Sequence, residues 1–356
     1  MKRAAWIIFW MMISGQLLAQ SPDSLLLKDY QPRSIFKIPK SKVTKARFPV
    51  IDMHSHPYAR TAADLQQWII NMDSAGIRQT MILTYATGAE FDSLHSVYAA
   101  FGERFQLWCG FDYTGYNEPG WTEKAIKELE RCHRKGAIGV GELGDKGLGL
   151  TYSHPTPARG MHINDPRMQP LLKRCGELGM PVNIHIAEPA WMYEAMDATN
   201  DGLMNGFKWR IDPEQEGILL HQALMQTLEE ALQANPGTTF IACHFANCSA
   251  DLSILTDLLD RYPNLHADIS ARYGETATIP RYMAAFYEKY QDRLLFGTDM
   301  GSEPEMYEIV FRILESEDEH FYQPEYFNYH WPLYGFGLSD SILKKLYYEN
   351  AQKLLD

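Results

Sequence analysis

The stretch Val50-Ile51-Asp52-Met53-His54-Ser55-His56-Pro57 decides the fold. An apolar run ending in His-x-His reads as a β-strand, and period-two alternation puts His54 and His56 on one face of it. Asp52 falls on that face beneath them, where it would orient a ligand or make a structural hydrogen bond. Two imidazoles on one strand converge on one point. Taken alone they are weak evidence for a metal site, since histidines often sit hydrogen-bonded in cores, and the rest of the chain decides between the two.

From Phe48 onward, short apolar runs alternate with amphipathic helical stretches, which is the pattern of βα units around a parallel sheet. The expected strands are Phe48–His56, Gln79–Tyr85, Phe105–Asp112, Ala137–Leu143, Pro181–Ala187, Thr239–Phe245, Leu265–Ile269 and Arg293–Asp299. Helices are expected between them, the first over Thr61–Ala75 and ended by Gly76, and a last one over Asp340–Leu355. Eight such units predict an α/β fold, a (β/α)8 TIM barrel with a C-terminal helix. The loops after strands four and five, Gly144–Asp165 and Glu188–Leu220, are longer than ordinary connections, as lids and binding loops are. The expected division is a signal peptide at 1–19, a polar lead-in at 20–47 that wraps the outside, and the barrel at 48–356.

Lys2-Arg3, an apolar run to Ile13 and the small residue Ala19 form the expected secretory signal, so the protein is expected to be exported, periplasmic or secreted. No later stretch is long and apolar enough to span a bilayer. The formal charge is −12, more negative still once Lys2 and Arg3 leave, which argues against a nucleic-acid partner. Five scattered cysteines do not make a disulfide framework and read as buried thiols; Cys243 is expected to point away from His244, its neighbour on the strand.

Three further strand ends carry the same chemistry. Strand five ends Asn183-Ile184-His185-Ile186, strand six Ala242-Cys243-His244-Phe245, and strand eight Gly297-Thr298-Asp299. The C-terminal rim is where (β/α)8 enzymes keep their active sites, so four strands bring nitrogen and oxygen donors to one end of one barrel. That mixture suits a divalent metal, zinc first, as one or two ions.

The pieces "VIDMHSH", "MPVNIHIAEP", "TTFIACHFAN", "YPNLHADISAR", "RLLFGTDM" and "GLSDSILKKLYYENAQKLL", spread over residues 50 to 355, together resemble the amidohydrolase superfamily, and within it the amidohydrolase-2 group that also contains aromatic-acid decarboxylases. The resemblance implies that His54, His56, His185 and Asp299 bind metal, that His244 binds a second metal or polarises the substrate, and that Asp299 also carries protons. On strand four, Glu142 looks like the glutamate that bridges two metals in TatD-type nucleases; the other reading is a site for a single metal, with Glu142 supporting its ligands or in a salt bridge, for example to Lys146.

A divalent cation makes a water acidic enough to be deprotonated near neutrality. The leading expectation is therefore hydrolysis of an amide, ester or lactone bond in a small substrate, with Asp299 as general base and then acid and His244 stabilising the oxyanion. The alternative is metal-dependent, non-oxidative decarboxylation of a hydroxy-aromatic or enolic acid. Arg210 and Arg272 suit a carboxylate-bearing substrate, and Trp191 and Tyr58 join them as rim candidates, with Tyr193, Trp209, Tyr273 and Asp112 as further ones. Whether identical chains associate stays open.

Overall fold

The structure is a computed structural model that describes residues 21–152, 155–327 and 330–355. The expected signal segment and His154 lie outside these residues.

Eight parallel strands form the wall: β1 (Val50–Ser55), β2 (Ile77–Leu83), β3 (Phe105–Trp108), β4 (Val140–Asp145), β5 (Val182–Ile186), β6 (Phe240–Ala242), β7 (Leu265–Asp268) and β8 (Leu294–Leu295). They neighbour one another in chain order, as a set of three and a set of five. Main-chain bonds span both gaps between the sets. Cys109 N donates to Gly139 O at 3.0 Å between β3 and β4, and Met53 N donates to Phe296 O at 2.8 Å between β1 and the end of β8. The fold is a (β/α)8 barrel, with helices α1 (Ala62–Ala75), α2 (Gly88–Tyr98), α3 (Trp121–Arg134), α4 (Gln169–Glu177), α5 (His221–Ala234), α6 (Leu252–Arg261), α7 (Pro280–Lys289) and α8 (Pro304–Glu315) following the strands.

Local chemistry sets the helix ends. Thr61 caps α1 by accepting from Asp64 N while Asp64 accepts from Thr61 N, each at 3.2 Å, a capping box that satisfies two otherwise orphaned donors. Gly76 closes the same helix at φ 85°, a conformation that an L side chain resists.

Alternation along the strands separates two cores. Val182, Ile184, Ile186, Phe240, Ala242, Leu265 and Ala267 pack outward on the helices, whereas Met81, Leu83, Trp108, Ile241 and Leu295 fill the inside together with Ile51 and Met53. Ala351 joins this inner cluster. It belongs to a final helical stretch, Asp340–Leu355, whose middle turn Lys345–Glu349 is π-helical. Among the described residues, no helix is long and apolar enough to cross a membrane. Residues 30–45 run extended along the outside, where Ser41 N and Oγ donate to Asp318.

Two departures from strand regularity shape the C-terminal rim. Ile51 and Met53 face the inner core, so strict alternation would turn His54 away from it. The β1–β2 pairing shifts register between Asp52 and Ser55, however, and past that irregularity His54 and His56 both enter the barrel. Asp52 accordingly lies in the β1–β8 seam and has the structural hydrogen-bonding role of the two expected for it, accepting from Thr298 N at 3.0 Å, Thr298 Oγ1 at 2.6 Å and His54 N at 3.1 Å. A second register shift, between Val140 and Leu143, brings Glu142 inward on β4.

Candidate metal centre

Six groups expected from the sequence meet at the C-terminal rim. Glu142 sits at the middle. Its Oε1 lies 3.0 Å from His185 Nδ1, 3.4 Å from His244 Nε2 and 3.8 Å from His54 Nε2, and its Oε2 lies 3.6 Å from His56 Nε2. Asp299 lies beside it, with Oδ1 2.9 Å from His56 Nε2 and 3.6 Å from His54 Nε2, and Oδ2 3.7 Å from His244 Nε2. The alternative pairing of Glu142 with Lys146 does not occur: Lys146 instead forms an ion pair with Glu188.

Asp268 on β7 holds the ligands in place, and the sequence reading passed over it. It accepts from His54 Nδ1 at 2.8 Å and from the main-chain N of His244 at 3.0 Å; Ser270 Oγ donates to it at 2.6 Å. With Nδ1 of His54 donating to Asp268, the lone pair of Nε2 faces the centre. The signal was available in Leu265-His266-Ala267-Asp268-Ile269-Ser270, where Asp268 and Ser270 alternate inward at a strand end. Glu188 was equally legible, three residues beyond His185. Tyr85, at the end of β2, places its hydroxyl 3.0 Å from His56 Nε2 and donates to Glu142 Oε2 at 3.2 Å.

The backbone at this rim is unusual for its residue types. Tyr85, Ala187, the run His244–Asn247, Ala271 and Asp299 all have φ between 53° and 60°. Each such residue costs about 1–3 kcal/mol, and such strain clusters where side chains must be aimed. Because His244 takes this conformation immediately after β6, it turns inward. Cys243 is inward too, by ordinary alternation with Ile241, which overturns the expectation that it points away. Its thiol donates to Asn183 Oδ1 at 2.8 Å. All five cysteines are buried and free.

The electrostatics call for a cation. Glu142 and Asp268 are buried and Asp299 nearly so, and among the described residues their ion partners are all histidines. Burial opposes ionisation of Asp299, but His54, His56 and His244 offset it and leave the carboxyl below its ordinary range; the same balance, struck mainly by His185 and His244, lowers Glu142. Burial likewise opposes a proton on His54, yet Asp268, Asp299 and Glu142 raise its affinity for one. Protons on imidazoles thus balance buried carboxylates, a role that a divalent cation fills with fewer particles. The buried Nε2 atoms of His54 and His185 have no hydrogen-bond partner, as expected of atoms that hold a metal. The donor atoms of His54, His56 and Asp299 lie within 4.8 Å of one another, and so do those of His54, Glu142, Cys243 and His244. The residues present fit a divalent metal.

A cavity of about 420 Å³ opens onto this cluster. Its walls include His56, Glu142, His185, His244, Asp299, Arg272 and Trp209 from the expected set, and Tyr85, Lys146, Tyr152 and Glu188 besides. Burial would raise the Glu188 carboxyl, but His185, Lys146 and Arg272 hold it at about 2. Six expected rim residues stand outside this wall, Tyr193, Tyr273 and Asp112 among them. Tyr58 is 43% exposed, edge-on to His56 with ring centroids 6.1 Å apart. Trp191 packs within the β5 loop against Gly202, where a Cβ would meet its ring at 2.4 Å. Arg210 stacks on Phe207 and donates to its carbonyl, facing a separate small cavity on the far side of Lys146.

A parallel barrel that brings four imidazoles and buried carboxylates to the C-terminal ends of its strands is the arrangement of metal-dependent (β/α)8 enzymes. The chain belongs to the amidohydrolase family, whose sequence model matches residues 51–356. Among curated proteins none matches. Solved structures share the fold at low identity. An uncharacterised TIM-barrel protein from Bordetella bronchiseptica is 17% identical with a TM-score of 0.56, covering 86% of this chain and 98% of that one. A dihydroxybenzoic acid decarboxylase from a Polaromonas species, solved with manganese and 2-nitroresorcinol, is 15% identical with a TM-score of 0.54, covering 86% and 97%. A 5-carboxyvanillate decarboxylase from Novosphingobium aromaticivorans, solved with manganese and a nitrobenzoic acid, is 13% identical with a TM-score of 0.53, covering 89% and 99%.

Proposed function

We propose that this protein is a metal-dependent, non-oxidative decarboxylase of a small hydroxy-aromatic or enolic acid, in place of the hydrolase that leads from the sequence. The observation that carries the reading is the cavity itself: Tyr85, Tyr152 and Trp209 offer aromatic walls, Lys146 and Arg272 offer positive charge, and the floor is the carboxylate–imidazole cluster. An aromatic carboxylate matches all three surfaces. The manganese-containing decarboxylases of the same fold support it.

His54, His56, His185 and Asp299, with His244 and Glu142, would hold the cation, zinc being one candidate, and when bound it supplies positive charge that anchors the substrate's oxygens. Tyr85 and Tyr152 flank the ring and exclude water from it. Asp299 takes up a proton from the substrate hydroxyl on binding. As the bond between ring and carboxylate breaks, its electron pair stays on the ring carbon, Asp299 returns the proton there, carbon dioxide leaves, and the product's phenolate oxygen takes a proton from solvent on release. With the N-terminal segment as a secretory signal, this chemistry takes place outside the cytoplasm.

One observation favours hydrolysis as the second reading: Glu142 lies within 3.8 Å of four imidazoles, as a carboxylate bridging two cations would. Products separate the two. The protein loaded with manganese or zinc is offered hydroxybenzoates, and separately lactones, esters and acyl amides in heavy-oxygen water. Stoichiometric carbon dioxide without solvent oxygen in the product is expected, with kcat lowered roughly 10²–10⁴-fold in Asp299→Asn. Solvent oxygen in the product, with no carbon dioxide, would transfer the function to hydrolysis.

A further inference from the structure

We propose that Cys243 is a metal ligand, so that Glu142, Cys243 and His244 form a second, sulfur-bearing cation position beside the one set by His54, His56 and Asp299. The inference rests on the metal reading of the site and adds to it the number and the chemical character of the positions.

Placement comes first. On β6, Phe240 and Ala242 pack outward on the helices and Ile241 packs inward, so Cys243 follows Ile241 into the barrel. β5 pairs with β6 through Asn183–Ile241 and Ile184–Ala242, which sets Cys243 level with His185. The other four cysteines, Cys109, Cys132, Cys175 and Cys248, all belong to the large hydrophobic cluster, where a buried thiol packs as a small apolar group. Cys243 belongs to neither hydrophobic cluster. It is fully buried among imidazoles and carboxylates, which gain nothing from an apolar filler.

Distances agree. The Cys243 sulfur and donor atoms of Glu142, His244 and His54 lie within 4.8 Å of one another. Around a tetrahedral ion with bonds of about 2.0–2.3 Å, ligand atoms stand roughly 3.3–3.8 Å apart, so side-chain adjustments of an ångström close the shell. His54 also lies within 4.8 Å of His56 and Asp299, which places the two positions side by side with Glu142 between them.

The chemistry balances. Binding exchanges the S–H bond for a sulfur–metal bond and releases one proton to solvent, and the hydrogen bond to Asn183 Oδ1 is given up in the exchange. Carboxylates that discourage a thiolate in the metal-free protein cease to do so once a divalent charge stands among them. The two positions then differ in softness. Nitrogen and oxygen donors accept Mn²⁺ as well as the more tightly bound Zn²⁺, whereas a thiolate disfavours Mn²⁺ and selects Zn²⁺, Co²⁺ or Cd²⁺.

Cobalt is the probe. The metal-free full chain is titrated with Co²⁺ while bound metal and the near-ultraviolet thiolate-to-cobalt charge-transfer band are followed. Two equivalents are expected, with the band rising in one of them; Cys243→Ser should bind one equivalent and show no band, and wild type preloaded with one equivalent of Mn²⁺ should still show it. Two equivalents without the band, or a band that persists in Cys243→Ser, would overturn the assignment. One equivalent without the band removes the sulfur position and leaves the metal site standing, whereas no bound cobalt at all removes both. Should Cys243→Ser not fold, X-ray absorption at the zinc edge of the wild-type protein reads sulfur in the coordination shell directly, and its absence is equally decisive.

Discussion

β5 and β6 are neighbours in the barrel, and each brings one histidine to the centre. On β5 the means is plain alternation: Val182, Ile184 and Ile186 pack outward, and Asn183 and His185 point inward. On β6 the regular strand ends at Ala242, and His244 opens a run of four non-glycine residues with φ between 54° and 59°. The same residue type thus arrives by a relaxed route on one strand and a strained route on the next. The strained route delivers two inward donors in succession, Cys243 and His244, where a pleated strand delivers one in two. On β6 the backbone strain accompanies this crowding of ligands, although Asp299, the single ligand from β8, is left-handed too.

If that is so, whatever pins the turn after β6 matters more than anything pinning β5. Asp268 is the candidate, because it accepts from the main-chain N of His244 and fixes His54 as well. Asp268→Asn should weaken metal binding by roughly 10–100-fold in a chelator competition, because one change disturbs two ligands. Unchanged affinity would show that the turn holds itself. A comparable effect, on stability and not on metal affinity, is expected where β8 touches the irregular part of β1. A Cβ on Gly297 would meet His54 Cβ at 2.7 Å, so Gly297→Ala should cost about 1–3 kcal/mol in urea unfolding of the metal-free protein. No loss would mean that β1 is free to yield there.

The smallest effect isolates the strain itself. Ala242 and Ala246 are both fully buried on either side of the point where β6 ends, the first with φ −77° and the second with φ 54°. Replacing either by glycine removes the same methyl group, but only the second relieves a left-handed alanine. Ala246→Gly should therefore leave the metal-free protein about 1–2 kcal/mol more stable than Ala242→Gly. Equal stabilities would dissolve the contrast.

This contrast also explains how much was legible in the sequence. The order of elements was, because apolar runs and amphipathic periods report burial directly, and α1 runs over Ala62–Ala75, capped by Thr61, where Thr61–Ala75 was expected. His185 was legible for the same reason. His54, Glu142 and His244 were found by residue type and position at strand ends, but the alternation used to aim them was not what aims them, since register shifts and left-handed residues depend on contacts from other strands. The same assumption misplaced Asp52 and Cys243. Asp268 was legible as an inward carboxylate at the end of β7, but its bonds to two histidines on other strands were not, because those contacts run through space. The aromatic cavity wall was partly hidden too: Trp209 was in view, but Tyr152 reaches the cavity from the long loop after β4, and loop paths are not periodic.

The last helical stretch bears on how the chain is assembled. Ala351 packs into the inner core, Leu346 O accepts from Phe296 N at 3.0 Å, and Asn350 Nδ2 donates to Leu294 O at 2.9 Å. The floor of the barrel is therefore made of residues synthesised more than forty positions after the last strand it seals. A chain carrying all eight strands but not this segment still has an open base, so the barrel is sealed only when Asp340–Leu355 docks on it.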